Sequence, residues 1–220
     1  LVRTMRASVV VLGPLLGRYG QARVSLPGGC AIGTRPIDIH LHGLEKLGAV
    51  IKVNQGYIEA VAPRGLRGAE FEMRFPSVGA TQNIMMAATL AFGRTVIHNA
   101  AYEPENQCLA DLLNRMGARV SWPDPGRAGC HPHTVVIDGV KSLKGVEFKI
   151  PPDRVETGTL ILAGAITGGQ VTVTPALPAE NQALWNVLDT MGFDLEIGED
   201  YVTILPGKPK NTIAVKTEVY

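Results

Sequence analysis

Apolar residues along the chain follow two spacings that recur in the same order. Leu109, Leu112, Leu113 and Met116 keep the i, i+3, i+4, i+7 interval of an amphipathic helix, and Leu184, Val187, Leu188 and Met191 keep it again. Each stripe ends in glycine, at Gly117 and Gly192, and Leu47-Gly48 closes a third helix in the same way. Pro36, Pro104 and Pro178 stand near the starts of these helices, where a missing N–H is harmless. The closing glycines stand where a helix ends in left-handed backbone. β-rich runs come next, 49–53 with 57–61, 119–122 with 134–137 and 194–197 with 201–205. A further strand closes each set, at 70–73, 146–150 and 212–215.

A second series of glycines precedes these helices and fixes the period. Gly20, Gly93 and Gly168 lie 73 and 75 residues apart, each before a short strand (22–26, 95–97, 171–174). The closing glycines lie 69 and 75 apart, so the chain holds three copies of a repeat of about 74 residues. Val9-Val10-Val11 has strand propensity, but the same register elsewhere holds 83–90 and 159–166, rich in Ala, Met and Leu. Residues 6–18 are therefore expected to be helical. Each unit is helix, strand, helix, strand, strand, strand, an α/β architecture with helices covering sheets.

Composition narrows the partners. With 220 residues, 45% hydrophobic and 19% charged, there is ample sequence for a buried core, in one large domain or two small ones. A net charge of +1 removes the general phosphate attraction that nucleic-acid binders use, so no nucleic-acid partner is expected. The best apolar stretch, 9–16, is short and broken by Gly13 and Pro14, so no membrane span is expected. Three cysteines close no disulfide framework and no export signal opens the chain, which together point to the cytoplasm. The chain opens on Leu1, so sequence upstream is expected to be missing.

Chemistry is expected where the repeat is broken. From the early glycine to the helix proline the units run 16, 11 and 10 residues, so the first carries an insertion of about five. It contains Pro27-Gly28-Gly29-Cys30-Ala31-Ile32-Gly33-Thr34-Arg35-Pro36. A loop lengthened in one repeat alone is not required by the fold, and such loops carry function. Cys30 among glycines has little side-chain bulk around it, and Arg35 with the following helix start could stabilise a thiolate or an anion. Cys30 is thus the candidate reactive residue. Gly28 and Gly33 fit half of a nucleotide P-loop, but Thr34-Arg35 stands where Gly-Lys belongs, and that motif fails.

Arg6 and Arg154 open helices in equivalent registers and are compatible with anion sites, since guanidinium binds carboxylate and phosphate in a bidentate fork. Ser77-Val78-Gly79-Ala80-Thr81 opens another helix, as a phosphate cradle or a simple N-cap. His40 and His42 are expected to be surface or cap residues. Cys130-His131-Pro132-His133 lacks a second ligand pair, so a hairpin tip is expected there and no metal site.

Four stretches carry a family resemblance: LVRTMRAS (1–8), SLPGGCAIGTRPIDIH (25–40), FPSVGATQNIMMAATLA (75–91) and PDRVETGT (152–159). In them the chain resembles the UDP-N-acetylglucosamine 1-carboxyvinyltransferases, enolpyruvyl transferases that begin peptidoglycan precursor synthesis. The resemblance implies an inside-out α/β barrel of six such units in two domains, with substrates bound between them. It implies transfer of the enolpyruvyl group of phosphoenolpyruvate to the 3-hydroxyl of UDP-N-acetylglucosamine, with release of phosphate and no cofactor or metal. By motif position Cys30 is similar to the family cysteine that forms the phosphoenolpyruvate adduct, donates a proton and is alkylated by the epoxide antibiotic fosfomycin. Arg6 matches an arginine at the substrate site, and Arg35 the one that holds phosphate. Arg35, Pro36, Ile37, Asp38 and Ile39 would line the uridine side, with Ser77, Val78 and Gly79 toward the diphosphate.

Some positions depart from the family pattern. Tyr102 precedes Glu103-Pro104-Glu105 where many members have arginine, and Phe75 stands where some have lysine. The family's Lys-Asn pair would lie before Leu1, and its Pro-Thr-Asp aspartate after Tyr220. The resemblance therefore implies an internal fragment, inactive alone. Residues 1–150 would be two units of the catalytic-loop domain and 151–220 the first unit of the other, with the remaining half of the enzyme as partner. Two alternatives stand beside this: the sister enzyme acting on shikimate 3-phosphate, which shares the fold but lacks the cysteine loop, and a non-catalytic UDP-sugar-binding module.

Overall fold

Both glycine series take left-handed backbone, with φ of 70°, 94° and 66° at Gly20, Gly93 and Gly168 and 91°, 101° and 87° at Gly48, Gly117 and Gly192. A side chain there would be strained, and this is why the repeat is so visible in sequence. The computed structural model describes residues 6–26, 28, 37–123 and 133–216. Contacts divide the chain into two units, Leu1–Glu147 and Phe148–Val219.

The first repeat begins with a 3-10 helix, Arg6–Val11, that runs into α1 (Leu12–Tyr19). Pro14 thus stands in the first turn of an α-helix, where proline is tolerated. Then come β1 (Gln21–Ser25), α2 (Asp38–Lys46), β2 (Val50–Asn54), β3 (Tyr57–Val61) and β4 (Glu70–Glu72). The second repeat supplies α3 (Val78–Ala88), β5 (Arg94–His98), α4 (Pro104–Arg115), β6 (Arg119–Ser121) and β7 (Val135–Asp138). The third supplies α5 (Arg154–Thr167), β8 (Val171–Val173), a 3-10 turn at Pro178–Asn181, α6 (Gln182–Met191), β9 (Leu195–Ile197) and β10 (Val202–Ile204).

Sheet order repeats as faithfully as the glycines. In each repeat the strand after the first helix pairs with the second strand of the later hairpin, giving the order first, third, second: β1-β3-β2, β5-β7-β6 and β8-β10-β9. These pairings are antiparallel. β4 is the exception: it leaves its own repeat and pairs parallel with β5, Phe71 opposite Ile97. By that rule 146–150 would pair with β8, and 212–215 with the first strand of a following repeat. Neither forms a strand, which corrects the sequence-based assignment. β8 pairs only with β10, the division between units falls inside 146–150, and no strand follows β10 among the described residues.

In the first unit α3 is the central helix, packed by α1, α2 and α4. Its Ala80, Thr81, Asn83, Ile84, Met85, Ala87 and Ala88 are all buried. Glycines on the neighbouring helices permit the approach. A methyl on Gly13 of α1 would collide with the Asn83 carbonyl, and one on Gly43 of α2 with the end of Ile84. The second unit is built on Ile161, Trp185, Leu188, Phe193, Val202 and Ile204, with Trp185 Nε1 donating to the Pro178 carbonyl at 2.7 Å. α5 occupies the register of α3 yet exposes Val155, Leu160, Leu162 and Ile166.

Candidate functional site

Cys30, Arg35 and Pro36 lie outside the described residues, as do Cys130, His131 and Pro132. Arg6 is the first residue of the 3-10 helix, and its side chain is outside the description. The other expected site residues fall at two helix starts. Ile37 precedes α2 and, with Ile39, packs partly against the core, while Asp38 is the first residue of that helix. No side chain caps α2, and Asp38 in the first turn suits the positive end of the helix dipole.

Ser77, Val78 and Gly79 form the start of α3, reached from β4 through Met73, Arg74, Phe75 and Pro76. Ser77 takes extended backbone and its Oγ accepts from Ala80 N at 3.4 Å, a long capping bond. The Ser77 carbonyl accepts from both the backbone N and the Oγ1 of Thr81 at 2.9 Å. Thr81 Oγ1 in turn accepts from Ala101 N at 3.0 Å, tying this start to the segment before α4. α5 differs, because Asp153 Oδ1 already accepts from Val155 N at 2.7 Å and Glu156 N at 3.2 Å. Arg154 therefore opens a helix whose N-terminus carries its own carboxylate cap.

An open cleft of about 500 Å³ lies beside α2, its walls including Asp38, Ile39, His42, Phe71, Met73 and Arg74. Apolar floor residues come from β4 and its extension. Asp38, Glu45, Glu72 and Arg74 supply its charged lining, and Arg74 Nη2 pairs with Asp38 Oδ2, both side chains more than half exposed. Arg74 was not singled out in the sequence. Only its position just before Ser77, at the turn out of β4, could have marked it.

His40 corrects the sequence-based placement at the surface, whereas His42 is exposed as expected. His40 is 7% exposed, and its Nδ1 lies 3.1 Å from Asn83 Nδ2. Gly79 is close packed for the same reason, since a methyl there would come within 3.2 Å of the His40 ring. Among the described residues no group of three or more His, Cys, Asp or Glu is placed to hold a metal. No described helix is long and apolar enough to cross a membrane.

Three copies of one helix-and-sheet unit, each with its strands in the order first, third, second, define an α/β repeat architecture. The family model of EPSP synthase (3-phosphoshikimate 1-carboxyvinyltransferase) matches residues 1–219. The chain belongs to this family of enolpyruvyl transferases. The enolpyruvyl transferase NikO from Streptomyces tendae superposes with a TM-score of 0.71 at 24% identity, over 90% of this chain and 46% of that one. An EPSP synthase from Acinetobacter baumannii gives 0.65 at 18% identity, over 91% and 46%. The fold is therefore that of the EPSP synthase-like enolpyruvyl transferases, without a closed barrel among the described residues. The chain spans a little under half the length of these structures.

Proposed function

We propose that the chain is the part of a UDP-N-acetylglucosamine 1-carboxyvinyltransferase that carries its cysteine loop. Cys30 forms the adduct with phosphoenolpyruvate and donates a proton, and Arg35 with Arg6 holds the anionic groups. Uridine lies along residues 35–39, and its diphosphate faces Ser77, Val78 and Gly79. Two anionic substrates come together only if cations and helix starts offset their repulsion. The observation that carries this reading is the run SLPGGCAIGTRPIDIH at 25–40, whose Gly-Gly-Cys loop leads into α2. The cleft walled by Asp38 and Ile39 supports it, as does the start of α3 beside α2. Cofactor and metal have no part in the proposed chemistry.

Residues 1–150 make up two units of the loop-bearing domain in this reading, and 151–220 the first unit of the second. The rest of the enzyme is the partner of this chain. Val155, Leu160, Leu162 and Ile166 of α5 suit burial against it, for several large apolar side chains exposed on one helix mark a surface that something covers. The chain alone is expected to show no turnover.

A second reading, enolpyruvyl transfer to shikimate 3-phosphate, is favoured by the description of the matched family. Intact-mass measurement after incubation with fosfomycin separates the two. One adduct, absent from Cys30→Ala, is expected for the UDP-sugar enzyme. No adduct, together with calorimetric binding of shikimate 3-phosphate, would replace the first reading with the second.

A further inference from the structure

The contact between α2 and α3 fixes more than packing. Asn83 is fully buried, and its amide can be oriented without choice. Oδ1 accepts the backbone N–H of Gly13 at 2.6 Å, and Nδ2 donates to the Val9 carbonyl at 3.1 Å. The second hydrogen of Nδ2 therefore faces His40 Nδ1 at 3.1 Å. An amide NH2 only donates, so Nδ1 accepts and the neutral ring carries its proton on Nε2. On its other side the ring fits against Gly79, with Cε1 3.2 Å and Nε2 3.5 Å from where a Cβ would stand. One imidazole thus touches the start of α3 while belonging to the first turn of α2. Through Asn83 it also reaches the junction of the 3-10 helix with α1.

We propose that His40, held as the Nε2–H tautomer by Asn83, is a positioning residue of the UDP-sugar site. It sets residues 37–39 against 77–79, and the Val9 to Gly13 junction against both. These are the segments assigned above to uridine, to diphosphate and, three residues upstream at Arg6, to the anionic groups of the substrates. His40 need not touch the ligand. It fixes the spacing of groups that do, so that their ordering cost is met before the ligand arrives. The proposal rests on the substrate reading given above.

Two variants separate positioning from packing. His40→Phe keeps a ring but replaces the Nδ1 acceptor with C–H, and His40→Asn keeps an acceptor in place of Nδ1 with less bulk. Long-range 1H–15N spectra of the unsubstituted chain are expected to show His40 protonated at Nε2. In the ligand-free chain the amide signals of Ser77, Val78 and Gly79 are expected to shift in His40→Phe and to return in His40→Asn. Affinity for UDP-N-acetylglucosamine, measured by calorimetry, is expected to fall about tenfold in folded His40→Phe and to be regained in His40→Asn. An Nδ1–H tautomer, a folded His40→Phe that binds as the unsubstituted chain does, or a His40→Asn as weak as His40→Phe would overturn the proposal. If His40→Phe does not fold, the tautomer and the affinity of His40→Asn decide. If the unsubstituted chain binds no UDP-N-acetylglucosamine, the substrate reading fails, and the amide shifts at 77–79 still decide for or against His40.

Discussion

Gly13 of α1 donates its backbone N–H to the side-chain oxygen of Asn83 on α3 at 2.6 Å, so these two helices are joined where they come closest. The bond forms only because Gly13 has no side chain. Gly13→Ala would drive a methyl into the Asn83 carbonyl, which cannot move without its helix, and into the side-chain oxygen, which could turn only by giving up its hydrogen bonds. The expected cost is at the upper end of overpacking, about 3 kcal/mol, read as a lowered urea midpoint with an unchanged slope.

Asp138 on β7 holds Arg94 on β5 with a bidentate contact, Nε at 2.7 Å and Nη2 at 3.0 Å. This hydrogen bond is the main reason its carboxyl titrates below the ordinary value of 3.8, with the charge of Arg119 on β6 adding to it. A depressed carboxylate contributes stability above its unfolded value, and the contribution is lost as pH falls through the folded one. Stability is therefore expected to drop as pH is lowered below about 4, and Asp138→Asn to flatten that part of the profile. Both side chains are well exposed, at 66% and 40%, so the effect is small and shrinks in high salt. Urea unfolding at several acid pH values, with and without salt, checks this.

Trp185 anchors the second unit by a hydrogen bond as well as by bulk. Trp185→Phe keeps most of the apolar contact but leaves the Pro178 carbonyl without its donor. A loss of about 1–3 kcal/mol is expected in this unit alone. Faster amide hydrogen exchange in β10, with β3 and β7 unchanged, is the measurement that distinguishes a local from a global effect.

Much of the fold could be seen in sequence because its turns are chemically demanding. Glycine is required at six left-handed positions, and their intervals gave the repeat, while β-rich runs marked ten strands to within a residue or two. Sheet order was not visible, since strand partners are chosen by edges that local pattern does not encode. The same blindness produced the two expected strands at 146–150 and 212–215, which have strand-like residues but pair with no strand among the described residues. The helix expected to start near Pro178 opens with a 3-10 turn at Pro178–Asn181, and α6 starts at Gln182. For the site, helix starts were foreseeable from Ser77 and Asp38. The burial of His40 was not, because it depends on Asn83 and Gly79 arriving from another repeat.

The strand that β4 lends to the next repeat puts sequence and mechanics out of phase. A sequence repeat ends after residue 73, but the sheet containing its last strand closes only at Asp138, nearly a whole repeat later. Excising one copy at the sequence boundary would strand Phe71 and Met73, both buried, without a sheet, and would leave β5 with an open flank. The first two copies are in this sense woven rather than stacked, and one could be gained or lost in evolution without breaking a sheet only by cutting ahead of β4, within the loop that follows β3.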